Sequence, residues 1–223
     1  MAYSVVGVIN MGLSRIGIKR IASLTEDSTQ AIAANAVWEY VRDEVLEAKD
    51  WRFAKTRVAL AQNAATPEYG YDYAYTLPVD FLRLCLPKKV DSEDSSFYPS
   101  GAYASAWSAD EVTIRSRTYG YVIEALDNGT KCIFTDYDDD DYALYITYIR
   151  KEVNPAKYSP AFINCLANRI AAELATTLTE GRRKFVDLMT LYEASLKKAE
   201  EVNQSLDYVK GETGNDDWLR AGR

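Results

Sequence analysis

The sequence contains no histidine. Histidine is the commonest general base near neutral pH, so its absence excludes Ser-His and Cys-His nucleophile pairs and every zinc site that uses an imidazole. Catalysis would have to rest on carboxylates, tyrosine or lysine. We therefore expect no enzyme, and we assign no catalytic residue and no cofactor.

Cysteine, proline, glycine and long apolar runs are also scarce. Cys85, Cys132 and Cys165 are odd in number and far apart, which predicts reduced thiols and synthesis in a cytosol. Six prolines and eleven glycines leave little room for long flexible linkers. No apolar run approaches the roughly 20 residues that a membrane-spanning helix needs. We expect one large or two small globular domains and no membrane partner.

Positive charge is in deficit. The chain carries 26 Lys and Arg against 33 Asp and Glu, a net charge of −7. Residues 51–154 hold 16 of the acidic and 11 of the basic residues. Proteins that clamp nucleic acid usually show the opposite bias, whereas a surface past which nucleic acid slides can be acidic.

Apolar periodicity divides the chain into a helical, a strand and a second helical block. Residues 5–13 suit a short amphipathic helix. Asp27 or Ser28 can cap a second helix that runs to about Lys49. Its predicted buried face carries Ile32, Ala36, Tyr40, Val41 and Leu46. Its predicted exposed positions carry Glu39, Arg42, Asp43, Glu44 and Glu47.

From Trp51 the period changes towards two, which indicates strands. The predicted strands cover residues 51–60, 71–77, 81–86, 112–116, 121–125, 131–135 and 142–149. Asp127-Asn128-Gly129 predicts a tight hairpin. The last strand is apolar on both faces and is expected at the centre of a sheet. Residues 90–108 are expected to form a long surface loop.

Helix returns after Pro155. Ser159 and Pro160 form a cap and first-turn pair. The apolar residues that follow repeat every four positions, at Phe162, Leu166, Ile170, Leu174 and Leu178. A further helix begins near Arg182, with sevenfold spacing of Phe185, Tyr192, Ala199 and Leu206 and with Leu188, Met189, Leu196 and Val202 between them.

These blocks predict an α+β fold. Residues 1–50 and 155–223 are expected to form a helical bundle from both chain ends, and residues 51–154 an inserted antiparallel β domain. Trp51 and Phe53 are expected to share a strand face and to belong to the core.

An aromatic stripe opens the strand block. Tyr69, Tyr71, Tyr73 and Tyr75 alternate with small or polar residues, so a strand would point all four rings one way. Such a stripe can bind glycans or stack on bases. Sheet packing or a subunit interface is the more common use of alternating aromatics, and Tyr71, Tyr73 and Tyr75 are our interface candidates.

Two groups of carboxylates are conspicuous. Asp136 and residues 138–141 could bind a hard cation such as calcium. The run lacks the glycine and distal glutamate of an EF-hand, so a solvated turn is favoured and no metal site is assigned. Asp43 and Glu47, one helical turn apart, could serve glycosidic acid–base chemistry, but a solvated helix surface is the simpler interpretation.

The ordered set of motifs resembles the head-to-tail adaptor proteins of short-tailed bacteriophages, the tail tubular protein A family. The motifs that carry this resemblance are Ile16-Gly17, Asp50-Trp51-Arg52-Phe53-Ala54, the run from Tyr73 to Arg83, the strand Leu144 to Ile149, and Tyr158-Ser159-Pro160-Ala161-Phe162 before an alanine-rich helix. Together they cover most of the chain, least of all residues 90–141 and the C-terminal tail.

The resemblance implies a structural protein of the virion, made in the host cytoplasm and placed at the head–tail junction. A ring, usually of twelve copies, would bind the portal protein and the downstream tail tube or nozzle protein. Helices would form the ring body, with the strand domain towards the outside. DNA would pass through the channel without specific binding, and an acidic lumen would repel its phosphates.

The polar tail contains one aromatic anchor. Trp218 is costly to leave in water and is favoured in interface hot spots. We expect Trp218 and Leu219 to insert into the portal, with Arg220 and Arg223 pairing to acidic groups there. The alternative is that the tail folds back on its own subunit or stays disordered.

Two rival functions stay open from the sequence. The tyrosines and carboxylates would also suit a glycan-binding or glycan-hydrolysing tail accessory protein. A monomeric binding module with no viral role is the other.

Overall fold

The computed structural model describes residues 3–63, 67, 70–85, 104–108, 111–114, 117–126, 129–137, 144–179 and 182–205. The chain is mixed α+β, with four α-helices and two antiparallel sheets among these residues. No helix of the described part has the length and apolarity that crossing a membrane would require.

The helices begin where the sequence places its caps. They are α1 (Val5–Arg15), α2 (Thr29–Glu47), α3 (Pro160–Leu178) and α4 (Arg182–Gln204). Ser28 Oγ accepts a hydrogen bond from Ala31 N at 3.2 Å, and Ser159 Oγ accepts one from Phe162 N at 3.2 Å. These caps satisfy backbone donors that have no partner inside the helix. The predicted starts of α2 and α3 are confirmed.

The strands are β1 (Lys55–Leu60), β2 (Tyr73–Thr76), β3 (Phe81–Leu84), β4 (Ala104–Ser108), β5 (Glu111–Ile114), β6 (Arg117–Ala125), β7 (Lys131–Thr135) and β8 (Leu144–Arg150). One sheet has the order β1-β8-β3 and the other β2-β7-β6-β5-β4. The predicted central place of the last strand is confirmed. The β6–β7 hairpin is also confirmed, with Gly129 at φ +80°.

Two strand predictions were wrong. Trp51 and Phe53 do not share a strand face, because Arg52–Ala54 form a 3₁₀ turn before β1. The Trp51 indole is nevertheless fully buried, and Trp51 Nε1 donates to Val45 O at 2.8 Å. Residues 104–108, expected within a surface loop, form β4 and pair with β5.

The described residues divide into two compact units, one holding residues 3–38 with 158–205 and the other residues 39–157. The first boundary therefore lies inside α2, whereas the sequence predicted it at residue 50. The cause is local. Arg83 Nε donates to Glu47 O at 2.9 Å and its guanidinium pairs with Asp50, so the last turns of α2 belong with the strands.

In the helical unit, α1 and α4 each pack against α3. The approach of α1 is close at Gly12, where a Cβ would lie 3.2 Å from Ala167 O. Arg15 adds a two-point contact, donating to Asn164 O at 3.0 Å and to Asn164 Oδ1 at 2.6 Å. Consistent with two neighbours, α3 buries side chains around most of its circumference over residues 162–175.

In the strand unit, the main apolar cluster takes residues from both sheets. Tyr75 and Ile133 of the larger sheet and Leu144 of β8 are fully buried. Ile146 of β8 is nearly so. The Tyr75 hydroxyl donates to Tyr137 O at 2.8 Å, which satisfies its one polar group inside the core.

The buried face of α2 agrees with the prediction only in part, since Val41 and Leu46 are fully buried as predicted. Ile32 is 62% exposed and Tyr40 is 46% exposed, whereas Trp38 and Val45 are buried. Arg42, expected at the surface, is only 3% exposed, and its Nε donates to Asp43 Oδ1 at 2.8 Å. The helix carries apolar residues on two sides, so periodicity alone did not determine which side packs.

Candidate functional site

The three cysteines are free, as predicted, and the structure shows that all three are buried. Burial raises the pKa of the Cys85 thiol to about 11, with the nearby Asp50 charge adding to the effect. Burial likewise raises the pKa of Cys165 to about 12. A thiol in the protonated form is a poor nucleophile, so these two residues act as packing groups.

The tyrosine stripe divides between two apolar clusters. Tyr75 is fully buried and Tyr73 packs against the same cluster, whereas the half-buried Tyr71 packs against the cluster of Ala74 and Phe134. Tyr69 lies outside the described residues. A fully buried ring cannot contact a second subunit or stack on a glycan, so Tyr75 is a core residue and not an interface candidate. Tyr71 and Tyr73 stay predictions.

The aspartate run is described only at its start. Asp136 Oδ1 accepts a hydrogen bond from Asp72 N at 3.2 Å, the role of a turn residue. Residues 138–141 lie outside the described part. Among the residues the structure does describe, no three Cys, Asp or Glu side chains gather as a metal ion would require.

Of the carboxylate pair on α2, Asp43 takes part in an ion-pair network. Asp43 accepts from the buried Arg42 and lies 3.0 Å from Lys151 Nζ. Glu47 is exposed. Because Asp43 is held between two cations in its own unit, it is well suited to tying α2 to the strands.

The predicted docking residues of the tail, Trp218, Leu219, Arg220 and Arg223, lie outside the described residues. The last described helix, α4, has a buried side that the sequence predicted. It also carries exposed apolar residues that the sequence did not predict. Leu188, Tyr192 and Ala199 are buried, as their sevenfold pattern indicated. Val186 and Leu191 are 56% and 55% exposed.

Val202 was expected inside the helix hairpin and is 44% exposed. It follows Leu191 by eleven residues, close to three full turns, so both lie on the same outward stripe. We call Val186, Leu191 and Val202 the outer apolar residues of α4.

The strand unit contains a cleft that sequence reasoning missed. Its volume is about 610 Å³ and its lining residues are Arg52, Lys55, Thr56, Arg57 and Arg150. We call it the basic cleft. Arg52, Lys55 and Arg57 are exposed, and Arg150 is half-buried. The antiparallel register that sets Lys55 opposite Ile149 brings Arg150 to the start of β1.

A buried carboxylate orients one wall of the basic cleft. Glu152 is 5% exposed and lies 2.5 Å from Arg150 Nη2 and 3.0 Å from Lys157 Nζ. Asn154 N also donates to it at 3.1 Å. Burial alone would raise the pKa of Glu152, but the hydrogen bonds from Lys157 and Asn154 and the charge of Arg150 outweigh it and lower the pKa. The ionised carboxylate therefore fixes the guanidinium.

No protein-family model matches this chain, and no curated protein matches it at a significant level.

Proposed function

We propose that this chain is a structural virion protein, the subunit of an adaptor ring between the portal and the tail of a short-tailed bacteriophage. The observation that carries the proposal is the packing of α1 against α3 within one unit, with the strand unit between them in sequence. This packing supports the helical body with contributions from both chain ends, and the inserted β domain, that the family resemblance implies.

The ring body would be built from the helical unit. A closed ring needs a heterologous contact, in which one surface of a subunit meets a different surface of the next. Of the outer apolar residues of α4, Leu191 and Val202 share one stripe and supply one such surface. Ile32 of α2, 62% exposed, is a candidate for the other.

The strand unit would lie towards the outside of the ring, with Tyr71 and Tyr73 as candidate contacts to a neighbouring subunit or to the downstream tail protein. Twelve subunits of net charge −7 would give the ring as a whole an excess of negative charge. DNA phosphates would be repelled from any lumen surface that carries it, so the genome could pass without binding. No catalytic step is part of this role.

The C-terminal tail would dock into the portal. A lone tryptophan in a polar segment gains most when it is buried at a partner's surface. Deleting residues 210–223 is expected to abolish docking to the portal while far-UV circular dichroism and the unfolding midpoint stay as in the full chain. Normal docking of the truncated chain would assign the contact to another surface.

The central experiment mixes the full chain with the portal protein of the same phage. Mass photometry should show the portal gaining about 300 kDa, which is twelve copies of the 25.1-kDa chain. Negative-stain images should show a second ring below the portal. A chain that never associates with the portal, at protein concentrations far above those in the assay, would exclude the proposal.

A further inference from the structure

We infer that the basic cleft binds phosphate groups, either those of a nucleic-acid backbone or those of a free phosphate compound. Four cationic side chains, Arg52, Lys55, Arg57 and Arg150, line one open cavity of about 610 Å³. A volume of this order suits a small ligand or a short stretch of a larger one. The inference does not depend on the proposed function, because it concerns a surface of the strand unit taken by itself.

The cations converge from three separate elements. Arg52 belongs to the 3₁₀ turn, Lys55 and Arg57 to β1, and Arg150 to the end of β8. Like charges brought into one cavity repel each other, and this cost is relieved when an anion enters. The concentration is notable in a chain with net charge −7, whose strand block holds most of the acidic excess.

Among the residues that the structure describes, Asp50 and Glu152 each form an ion pair with a cation of the cleft. Glu152 is shared between Arg150 and Lys157. Asp50 lies 3.8 Å from Lys55 Nζ, but it also pairs with Arg83. Each carboxylate thus serves a second cation outside the cleft. No ion pair of Arg57 is found within the part of the chain that the structure describes, so its positive charge is not offset there.

The donor set matches phosphate chemistry. Guanidinium groups present a planar fork that fits two phosphate oxygens, and Lys55 adds a point charge. Thr56 lines the same cavity. Arg150 is held by the ionised Glu152, so its orientation is set before a ligand arrives, which reduces the entropy lost on binding.

Strand-edge protection is the competing explanation. β1 is the edge strand of its sheet, and cations on edge strands discourage pairing with other chains. That role explains Lys55 and Arg57. It does not explain why Arg52 and Arg150, which lie outside β1, face the same cavity. Binding measurements separate the two explanations, because edge protection requires no affinity for phosphate.

The test measures anisotropy of a fluorescent DNA duplex of about 20 base pairs at about 20 mM salt, with the full chain and two double variants. Lys55→Gln with Arg57→Gln removes two cleft charges. Arg183→Gln with Lys197→Gln removes two exposed charges of α4 and is the matched control. We expect the cleft variant to bind at least about fivefold more weakly and the control to change less than about twofold. The salt slope should fall by about 2 in the cleft variant only.

Further arms identify the source of the phosphate. If inorganic phosphate raises the unfolding midpoint of the full chain but not of the cleft variant, while the duplex does not bind, the natural ligand is a free phosphate compound. If the duplex binds and phosphate competes only weakly, the ligand is a nucleic-acid backbone. Equal weakening by both double variants, no binding of either probe, or tighter binding of poly-glutamate than of DNA would overturn the inference.

Discussion

Gly12 of α1 lies against the backbone of α3, where a Cβ on Gly12 would come 3.2 Å from Ala167 O and 3.1 Å from Ile170 Cγ2. The backbone of a helix moves aside less easily than the end of a flexible side chain. We expect Gly12→Ala to lower the free energy of unfolding by about 1–2 kcal/mol, because overpacking outweighs the gain in helix propensity. Urea unfolding followed by circular dichroism measures this directly.

Gly7→Ala is the matched control, since Gly7 lies in the same helix. A Cβ there would meet only the Ser4 hydroxyl, 3.2 Å away. The change is expected to leave stability unaltered or to raise it by up to about 1 kcal/mol. If Gly12→Ala were equally benign, the close approach of α1 and α3 would not be a determinant of this unit.

A buried amide links α3 to α4. Asn168 is 7% exposed, and its Nδ2 donates to Ser195 Oγ at 3.0 Å and to Leu191 O at 3.4 Å. Asn168→Ala is expected to cost about 1–3 kcal/mol, because it removes these bonds and leaves a small cavity. Thr176→Ala, at an exposed position of the same helix, should change stability by less than about 0.5 kcal/mol.

A double-mutant cycle with Ser195→Ala isolates the bond itself. We expect a coupling free energy of about 0.5–1.5 kcal/mol between Asn168 and Ser195. Additive losses would mean that the amide stabilises the hairpin through packing alone.

The alkaline stability of the strand unit should depend on Tyr148. Its buried hydroxyl donates to Asp80 Oδ1 at 2.8 Å, and burial together with this hydrogen bond raises the pKa of Tyr148 to about 12. Above pH ~10 the unfolded chain releases this proton while the folded chain retains it, so stability falls as the pH rises. Below pH ~10 the contribution is fully present.

Comparing the protein with Tyr148→Phe between about pH 8 and pH 11 tests this. The stability advantage of the unsubstituted protein, about 1 kcal/mol near neutral pH, should shrink as the pH rises. Cys85 and Cys165 titrate in both proteins and cancel in the difference. Tyr145→Phe, in the same strand but 47% exposed, is the control for loss of a tyrosine hydroxyl and should change stability by less than about 0.5 kcal/mol. A pH-independent difference for Tyr148→Phe would contradict the assignment.

The predictable parts of the fold are those specified by neighbouring residues. Ser159 and Pro160 indicate the start of α3. The run Leu144–Ile149 is apolar at nearly every position, which is typical of a central strand. The face of α2 was missed because Ile32 and Trp38 are both apolar and lie on different sides of the helix. Only the tertiary partner of the helix determines which of them is buried.

The basic cleft was missed for a different reason. Arg52 and Arg150 are far apart in sequence, and each looks like an ordinary surface cation. They meet only because β1 pairs antiparallel with β8 in a register that no local pattern encodes. The single sequence signal that could have pointed to the site is the alternation of Lys55 and Arg57, which places both on one face of β1.

The outer apolar residues of α4 give the most direct test of assembly. Leu191 is 55% exposed, so Leu191→Ser should change the free energy of unfolding of the isolated chain by less than about 0.5 kcal/mol. If α4 forms a subunit contact, the same change should reduce the fraction of portal-bound rings at least about tenfold. The reason is that each of the repeated interfaces loses an apolar anchor. Glu193→Ser, two residues away and also exposed, is the matched control and should assemble normally. If Leu191→Ser assembles normally, the subunit contact lies on another face. If both variants fail to assemble, the effect comes from the helix and not from the apolar side chain.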